Sequence, residues 1–189
     1  MPPFIVFLDA NVLYPAELRS FLMYLAVSGV YRARWSAEVQ DEWISNLLLN
    51  RSDLTREKLE RTRELMERHA PDALVTGYQN LIPGLSLPDH NDRHVLAAAI
   101  RGKATVIITN NLKDFPAAEL QIYDIEAQTP EDFINHLINL YPAEVLQAAE
   151  EHRHSLRNPK KTVEEYLDSL RRQGLVETVT TLSRLYNHA

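Results

Sequence analysis

Residues 4–15 read FIVFLDANVLYP, a charge-free run from Phe4 to Leu8 followed at once by Asp9, Ala10 and Asn11. A short apolar run without alternation predicts a strand buried on both faces, as in parallel sheets covered by helices. Pro15 then suits the first turn of a helix, with Leu18, Phe21, Leu22 and Leu25 as its apolar stripe and Gly29 as its stop. The strand therefore delivers a carboxylate at its tip just before the chain turns back. In open α/β sheets ligands collect at the carboxyl ends of the strands, which makes Asp9 a candidate for chemistry. The plainer reading is that Asp9 caps the turn and Asn11 holds it, as asparagine side chains do.

The rest of the chain repeats this alternation. Ser36 is a good N-cap for a helix to Asn50, with Val39, Trp43, Leu47 and Leu48 on its stripe. Thr55 to His69 predicts a polar, charge-laced helix ended by Pro71, and Ala73 to Thr76 a short strand closed by Gly77. After the PGLSLP loop, Asn91 to Arg101 predicts a helix. Thr105 to Thr109 and Leu120 to Ile125 predict two more strands. Strands alternating with helices indicate a three-layer α/β fold, a central parallel sheet flanked by helices, over residues 1–127. From 128 to 189 the pattern is all helical. Helices run over about 130–140 and 142–154, a third follows the Thr162–Glu165 capping box and stops at Gly174, and a short one closes the chain. Leu146, Leu156, Tyr166 and Leu170 are the expected core of this helical extension.

Composition bounds the function. The chain has 189 residues, 45% hydrophobic and 24% charged, enough to bury a full core without disulfides. Cysteine is absent, so neither a disulfide framework nor a thiolate metal site is available. No apolar run approaches the 18 or so residues of a membrane span, and the N-terminus lacks the features of a signal peptide, so a cytoplasmic location is expected. The net charge of −6 provides no global attraction for nucleic acid, so any such binding is local or assisted by a cation.

Several acids are placed to meet at the strand ends. Glu42 lies in SAEVQDEW, Asp89 and Asp92 in PDHNDRHVLAAA, and Asp114 in TNNLKDFP after Asn110 and Asn111. Carboxylates crowded into one crevice repel each other unless a cation neutralises them or some hold protons. Oxygen ligands without cysteine suit a hard ion, Mg²⁺ or Mn²⁺, and water on such an ion can attack a phosphodiester. Two such ions would sit about 3.5–4 Å apart. Each acid also has a bland reading: Glu42 as a solvated helix flank, Asp89 and Asp92 as cap and first-turn acid, Asp114 as a turn residue. The histidines show no ligand spacing and read as structural or surface residues. The arginines of residues 51–68 read first as partners of glutamates three or four residues away, and second, at Arg61 and Arg63, as contacts for RNA phosphates.

FLDANVLYP, SAEVQDEW, DRHVLAAAI and VIITNNLKDF, in that order, resemble the motifs of PIN-domain ribonucleases, specifically the VapC-type toxins of bacterial toxin–antitoxin pairs. The likeness covers about residues 4–125, and RNPKKTVEEYLDSLRRQGL is similar to a helical C-terminal extension of one subgroup. The resemblance implies an endoribonuclease dependent on Mg²⁺ or Mn²⁺ that leaves 5′-phosphate and 3′-hydroxyl ends, acts as a homodimer and is covered by a cognate antitoxin. It assigns Asp9, Glu42 and Asp92 as metal ligands, with Asn11 and Asp89 in support. Many relatives carry an acid where this chain has Asn111, so either Asn111 or Asp114 fills the fourth place, or three acids suffice. Two alternatives stand beside this: a weakened PIN fold that binds RNA or an antitoxin without cutting, and a haloacid-dehalogenase-like phosphatase, whose DxD would need an acid at Asn11.

Overall fold

The structure, a computed structural model, describes residues 3–189; Met1 and Pro2, the start of the 1–127 unit, lie outside it. In chain order come β1 (Phe4–Leu8), α1 (Ala10–Leu13), α2 (Ala16–Val27), β2 (Tyr31–Ser36), α3 (Ala37–Asn50), α4 (Arg56–His69) and β3 (Leu74–Val75). Then follow α5 (Arg93–Arg101), β4 (Val106–Ile108), α6 (Ala117–Leu120), β5 (Glu126–Gln128) and the helices α7 (Pro130–Leu140), α8 (Pro142–Ser155), α9 (Val163–Arg172) and α10 (Val176–His188). Among the described residues the strands form one five-stranded sheet of order β3-β2-β1-β4-β5, and every neighbouring pair is parallel. The order reverses direction between β1 and β4. That is where parallel sheets open a crevice beyond their carboxyl ends.

β1 lies at the middle of the sheet because nothing in it needs water. Val6, Phe7 and Leu8 are fully buried, as are Ile107 and Ile108 beside them. Two strands differ from the sequence reading. β2, YRARWS, pairs directly with β1 from Phe4 opposite Tyr31 to Phe7 opposite Arg34, although the sequence reading assigned no strand there. Its Tyr31, Ala33 and Trp35 point inward while Arg32 is exposed, a period-2 signal partly masked by two arginines. The strand expected at Leu120–Ile125 is instead the end of α6 and a 3-10 turn, closed by Asp124 in a left-handed conformation (φ 55°). Leu120 and Ile125 are buried anchors, but Ile122 is 70% exposed, so the apolar residues do not form one strand face. The edge is taken by Glu126–Gln128, whose half-exposed position tolerates a charge.

The helical extension packs on its own chain. α8 lies against α2, and α10 against α7 and α9. Tyr166 and Leu170 are fully buried as expected, whereas Leu146 and Leu156 are half-buried, and α10 is 13 residues long rather than short. At the α2–α8 contact His152 is 1% exposed, with ring centroids 5.8 Å from Phe21, 5.3 Å from Tyr24 and 5.4 Å from Tyr166. Its Nδ1 shares a 2.9 Å hydrogen bond with the Tyr166 hydroxyl. Among the described residues no helix is long and apolar enough to cross a membrane.

A buried arginine fixes the corner that faces the crevice. Arg19 on α2 donates to the Leu13 carbonyl at the end of α1 (2.7 Å), and its guanidinium stands 4.4 Å from the centre of a Trp43 ring on α3. Burial pulls its pKa down to about 10, so it stays charged at neutral pH. The α1–α2–α3 corner is thereby locked around one cation. Replacing Arg19 with Met keeps the stem volume but orphans the Leu13 carbonyl. A loss of about 2 kcal/mol in urea unfolding is expected.

Burial also pushes the His152 imidazole down to about 4. Its folded pKa lies below the ordinary 6.5, so the unfolded chain binds the proton first as pH falls. Stability contributed by neutral His152 is therefore present at pH 7 and is lost between about 6.5 and 4. Chemical unfolding of wild type and His152→Phe across this window should show the wild type losing on the order of 3 kcal/mol more than the variant.

Candidate active site

Asp9 sits at the crevice floor, 6% exposed, with both carboxylate oxygens already engaged. Oδ1 accepts from the Ala10 backbone N–H at 2.8 Å, so the capping role is real. Oδ2 accepts from the Thr109 hydroxyl at 2.8 Å and from Asn11 Nδ2 at 3.1 Å. Asn11 Nδ2 also reaches Thr109 Oγ1 (3.1 Å), and Asn11 Oδ1 accepts from the Asn110 N–H (3.0 Å). The Asn111 N–H in turn donates to Thr109 Oγ1 at 3.1 Å. Asn11 thus clips the end of β1 to the end of β4. Asp9 presents its remaining lone pairs from a carboxylate that cannot rotate.

α3 supplies the next group. Ser36 caps it by accepting from the Val39 N–H, and Glu38 in its first turn lies on the same face as Glu42, four residues on. The Tyr78 hydroxyl donates to Glu38 Oε1 at 2.6 Å. The His94 ring stands between the two acids, 3.7 Å from Glu38 and 4.0 Å from Glu42, with its side chain 16% exposed. The histidine expected to be structural or surface is part of the crevice, and its Nδ1 is a buried polar atom without a hydrogen bond. Helical phase brings it there: His94 is in the first turn of α5, two residues beyond Asp92.

Asp92 occupies the N-cap position of α5 yet accepts no capping hydrogen bond. Its carboxylate is left for the crevice. Asp89 takes the capping work instead, accepting from the Asn91 N–H at 2.8 Å. Asn111 precedes the short 3-10 turn Leu112–Asp114 and caps nothing with its side chain; Asp114 is half-buried at the end of that turn.

The acids feel one another. Asp92 is pushed up to about 6, first by burial and then by the charges of Asp9, Asp89, Asp114 and Glu42. Glu42 is raised by burial, by Asp9 and by Glu38. Asp9 is raised by burial, against which its hydrogen bonds and the charge of His94 act. Asp9, Glu42 and Asp92 are therefore gathered in one crevice, with Asp114 and Asp89 contributing to its field. Such a donor set fits a hard dication in chemistry and in charge. Among the described residues, however, no three acid or histidine side chains are disposed to hold one ion directly. Magnesium tolerates that, because it keeps several waters and binds through one or two carboxylates plus a substrate phosphate.

The remaining residues singled out from sequence lie elsewhere. Arg61 pairs with Glu57 at 2.7 Å, and Arg63 with Asp41 at 2.7 Å and Glu67 at 3.3 Å, so both have acids of their own. Glu38, His94, Tyr78 and Thr109 were not singled out. The i, i+4 relation of Glu38 to Glu42 was the available signal; Tyr78 and Thr109 are brought in only by the fold. A cavity of about 600 Å³ between α2, α4 and α8, lined by Met23, Tyr24, Leu65 and Met66, contains none of the crevice acids. Converging charge, not volume, marks the site.

Residues 5–113 match the family described as PIN domain, and residues 130–184 the family described as VapC50 C-terminal domain. A relative from Mycobacterium tuberculosis strain H37Rv, described as "Putative ribonuclease VapC50", is 46% identical over 76 residues. That alignment covers 38% of this chain and 44% of the relative, so the chain spans less than half the length of the curated protein it matches. No solved structure matches. The first family match takes in more than half of the chain, including the elements that carry Asp9, Glu42 and Asp92. The chain belongs to the PIN-domain family and bears a VapC50-type C-terminal domain.

Proposed function

We propose that this chain is a metal-dependent endoribonuclease, the toxin of a cytoplasmic toxin–antitoxin pair, with Asp9, Glu42 and Asp92 as metal ligands and Asp114 as the fourth acid. The observation that carries this reading is the convergence of carboxylates at the β1/β4 switch point, where burial and then the charge of Asp9 raise both Glu42 and Asp92. A polyanionic substrate entering a crevice of like charge is repelled, unless a cation stands between them. When bound, Mg²⁺ or Mn²⁺ would polarise the scissile phosphate and acidify the attacking water. The protein's own groups divide the remaining work. Asp9, held by Thr109, Asn11 and Ala10, is the rigid mount. Asp92, uncapped, is the acid free to adjust to substrate. Glu38, held by Tyr78, and His94 orient Glu42 from behind. Family membership and the description of the relative as a ribonuclease support RNA as substrate; an antitoxin over the crevice and a homodimer as the working form are part of the same proposal.

A specific observation keeps a second reading in view. Asn111 stands where an acid is expected, and no three side chains cage an ion directly, which favours a PIN fold that binds RNA without cutting it. The phosphatase alternative has no such support, since Asn11 is committed to the clip between β1 and β4.

Purified protein incubated with RNA and Mg²⁺ should leave 5′-phosphate and 3′-hydroxyl ends. EDTA or Asp9→Asn should each reduce cleavage by at least about 100-fold. Cleavage that survives both removes the proposal. Titration calorimetry with Mn²⁺ separates the second reading: binding heat abolished by Asp9→Asn supports the nuclease, and absence of any heat supports the non-cutting module. Among single variants, Asp92→Asn and Glu42→Gln should approach the loss of Asp9→Asn. Glu38→Gln, acting through its neighbours, should cost about 10-fold to 100-fold.

A further inference from the structure

The segment joining α8 to α9, Arg157-Asn158-Pro159-Lys160-Lys161, is a tight hairpin in which Arg157 and Lys160 form an antiparallel bridge. Bridged residues project to the same side of a ribbon, and like charges placed opposite each other are destabilising. Both side chains are exposed, and among the described residues neither has an acid within ion-pair distance. Arg51, Arg56, Arg61, Arg63, Arg153 and Arg171 have acidic partners, whereas Arg157 and Lys160 have none among the described residues and are brought opposite each other by the bridge. In a chain of net charge −6, an unneutralised pair of cations is a local positive spot held against its own repulsion.

The hairpin is also fixed in place. Lys161 bonds Glu17 at 2.9 Å, Arg153 Nη1 donates to the Lys161 carbonyl at 2.9 Å, and Thr162 begins the capping box of α9. Glu17 is in the first turn of α2, at the end of the molecule where the sheet presents its carboxyl ends. The backbone path from Asp9 through α1 to Glu17 spans at most about 20 Å, at 1.5 Å per helical residue and about 3.5 Å per extended one. The Glu17–Lys161 pair therefore ties the hairpin to the segment that leads out of the Asp9 strand end, on the same end of the fold.

We propose that the Arg157–Lys160 hairpin of the C-terminal domain binds the phosphate backbone of single-stranded RNA where it leaves the crevice. The contact is to phosphates and so sequence-independent; it holds the strand in register for the acids. It rests on the reading of RNA as substrate. The experiment is fluorescence anisotropy of a labelled single-stranded RNA with the full chain, in an Asp9→Asn background that blocks cleavage, across a salt series. Arg157→Glu/Lys160→Glu should weaken binding at least about tenfold at low salt and lower the slope of log Kd against log salt by about 1.4, or roughly 0.7 per phosphate contact. Arg157→Gln/Lys160→Gln should give the same slope change with a smaller loss, and thermal melting of both should match the parent. Arg101→Glu/Lys103→Glu, at the opposite end of the sheet, makes the same change in net charge and should move the slope far less. Unchanged affinity and slope in the hairpin variants, with the parent still binding RNA, overturns the hairpin alone and leaves it to an acidic protein partner. A parent that binds no RNA overturns the substrate reading and the hairpin with it.

Discussion

The hydrogen bond from the Thr109 hydroxyl to Asp9 Oδ2 joins the ends of two strands that are 100 residues apart in the chain. Asn11 doubles it, bonding both partners and the Asn110 backbone. Without this clip the β1 and β4 loops would be tied only by the strands below them, and a carboxyl group at 6% exposure would keep the Ala10 N–H as its one donor. Burial alone raises the Asp9 pKa, and the clip, with the Ala10 N–H, acts against it. The floor of the crevice is thus a rigid, hydrogen-bonded carboxyl group, and Glu42 and Asp92 are more exposed than it is.

The C-terminal helices belong to the same mechanical unit. α8 packs on α2 through His152, α2 carries Arg19, and Arg19 braces Trp43 on the helix that presents Glu42. A disturbance of the extension therefore has a packed path to the crevice. Tyr31 of β2 and Phe133 of α7 meet edge to face at 5.2 Å, so the core runs without interruption across the sheet into the tail. The hairpin between α8 and α9 is placed by the same packing, because Lys161 is held by the first turn of α2.

Legibility from sequence followed the strength of each local signal. Ser36 and Thr162 cap the helices they were expected to cap, and Thr55 and Thr129 cap theirs in the same way, because the bond from a short hydroxyl side chain to a nearby N–H involves no distant partner. β1 and the buried Val106–Ile108 were legible from apolar runs alone. β2 was missed because arginines at 32 and 34 interrupt its apolar face, and the Leu120–Ile125 run was misread because an apolar turn anchor resembles a strand. At the site, Asp9 was pointed to by its place after a buried strand, whereas Glu42 and Glu38 differ from Asp41 only in helical phase relative to a partner surface.

The amino-acid sequence by itself determined the parallel α/β class, most helix boundaries, the absence of thiol chemistry and the presence of an acid at a strand tip. These follow from short-range sterics, capping and periodicity. Only the tertiary structure decided which acids share the crevice, that Asp92 is uncapped while Asp89 caps, and that His94 stands between two glutamates. It also decided that Arg61 and Arg63 are neutralised while Arg157 and Lys160 are not. The physical reason is that charge interactions depend on distance through space and on burial, and neither is set until strands from opposite halves of the chain lie side by side.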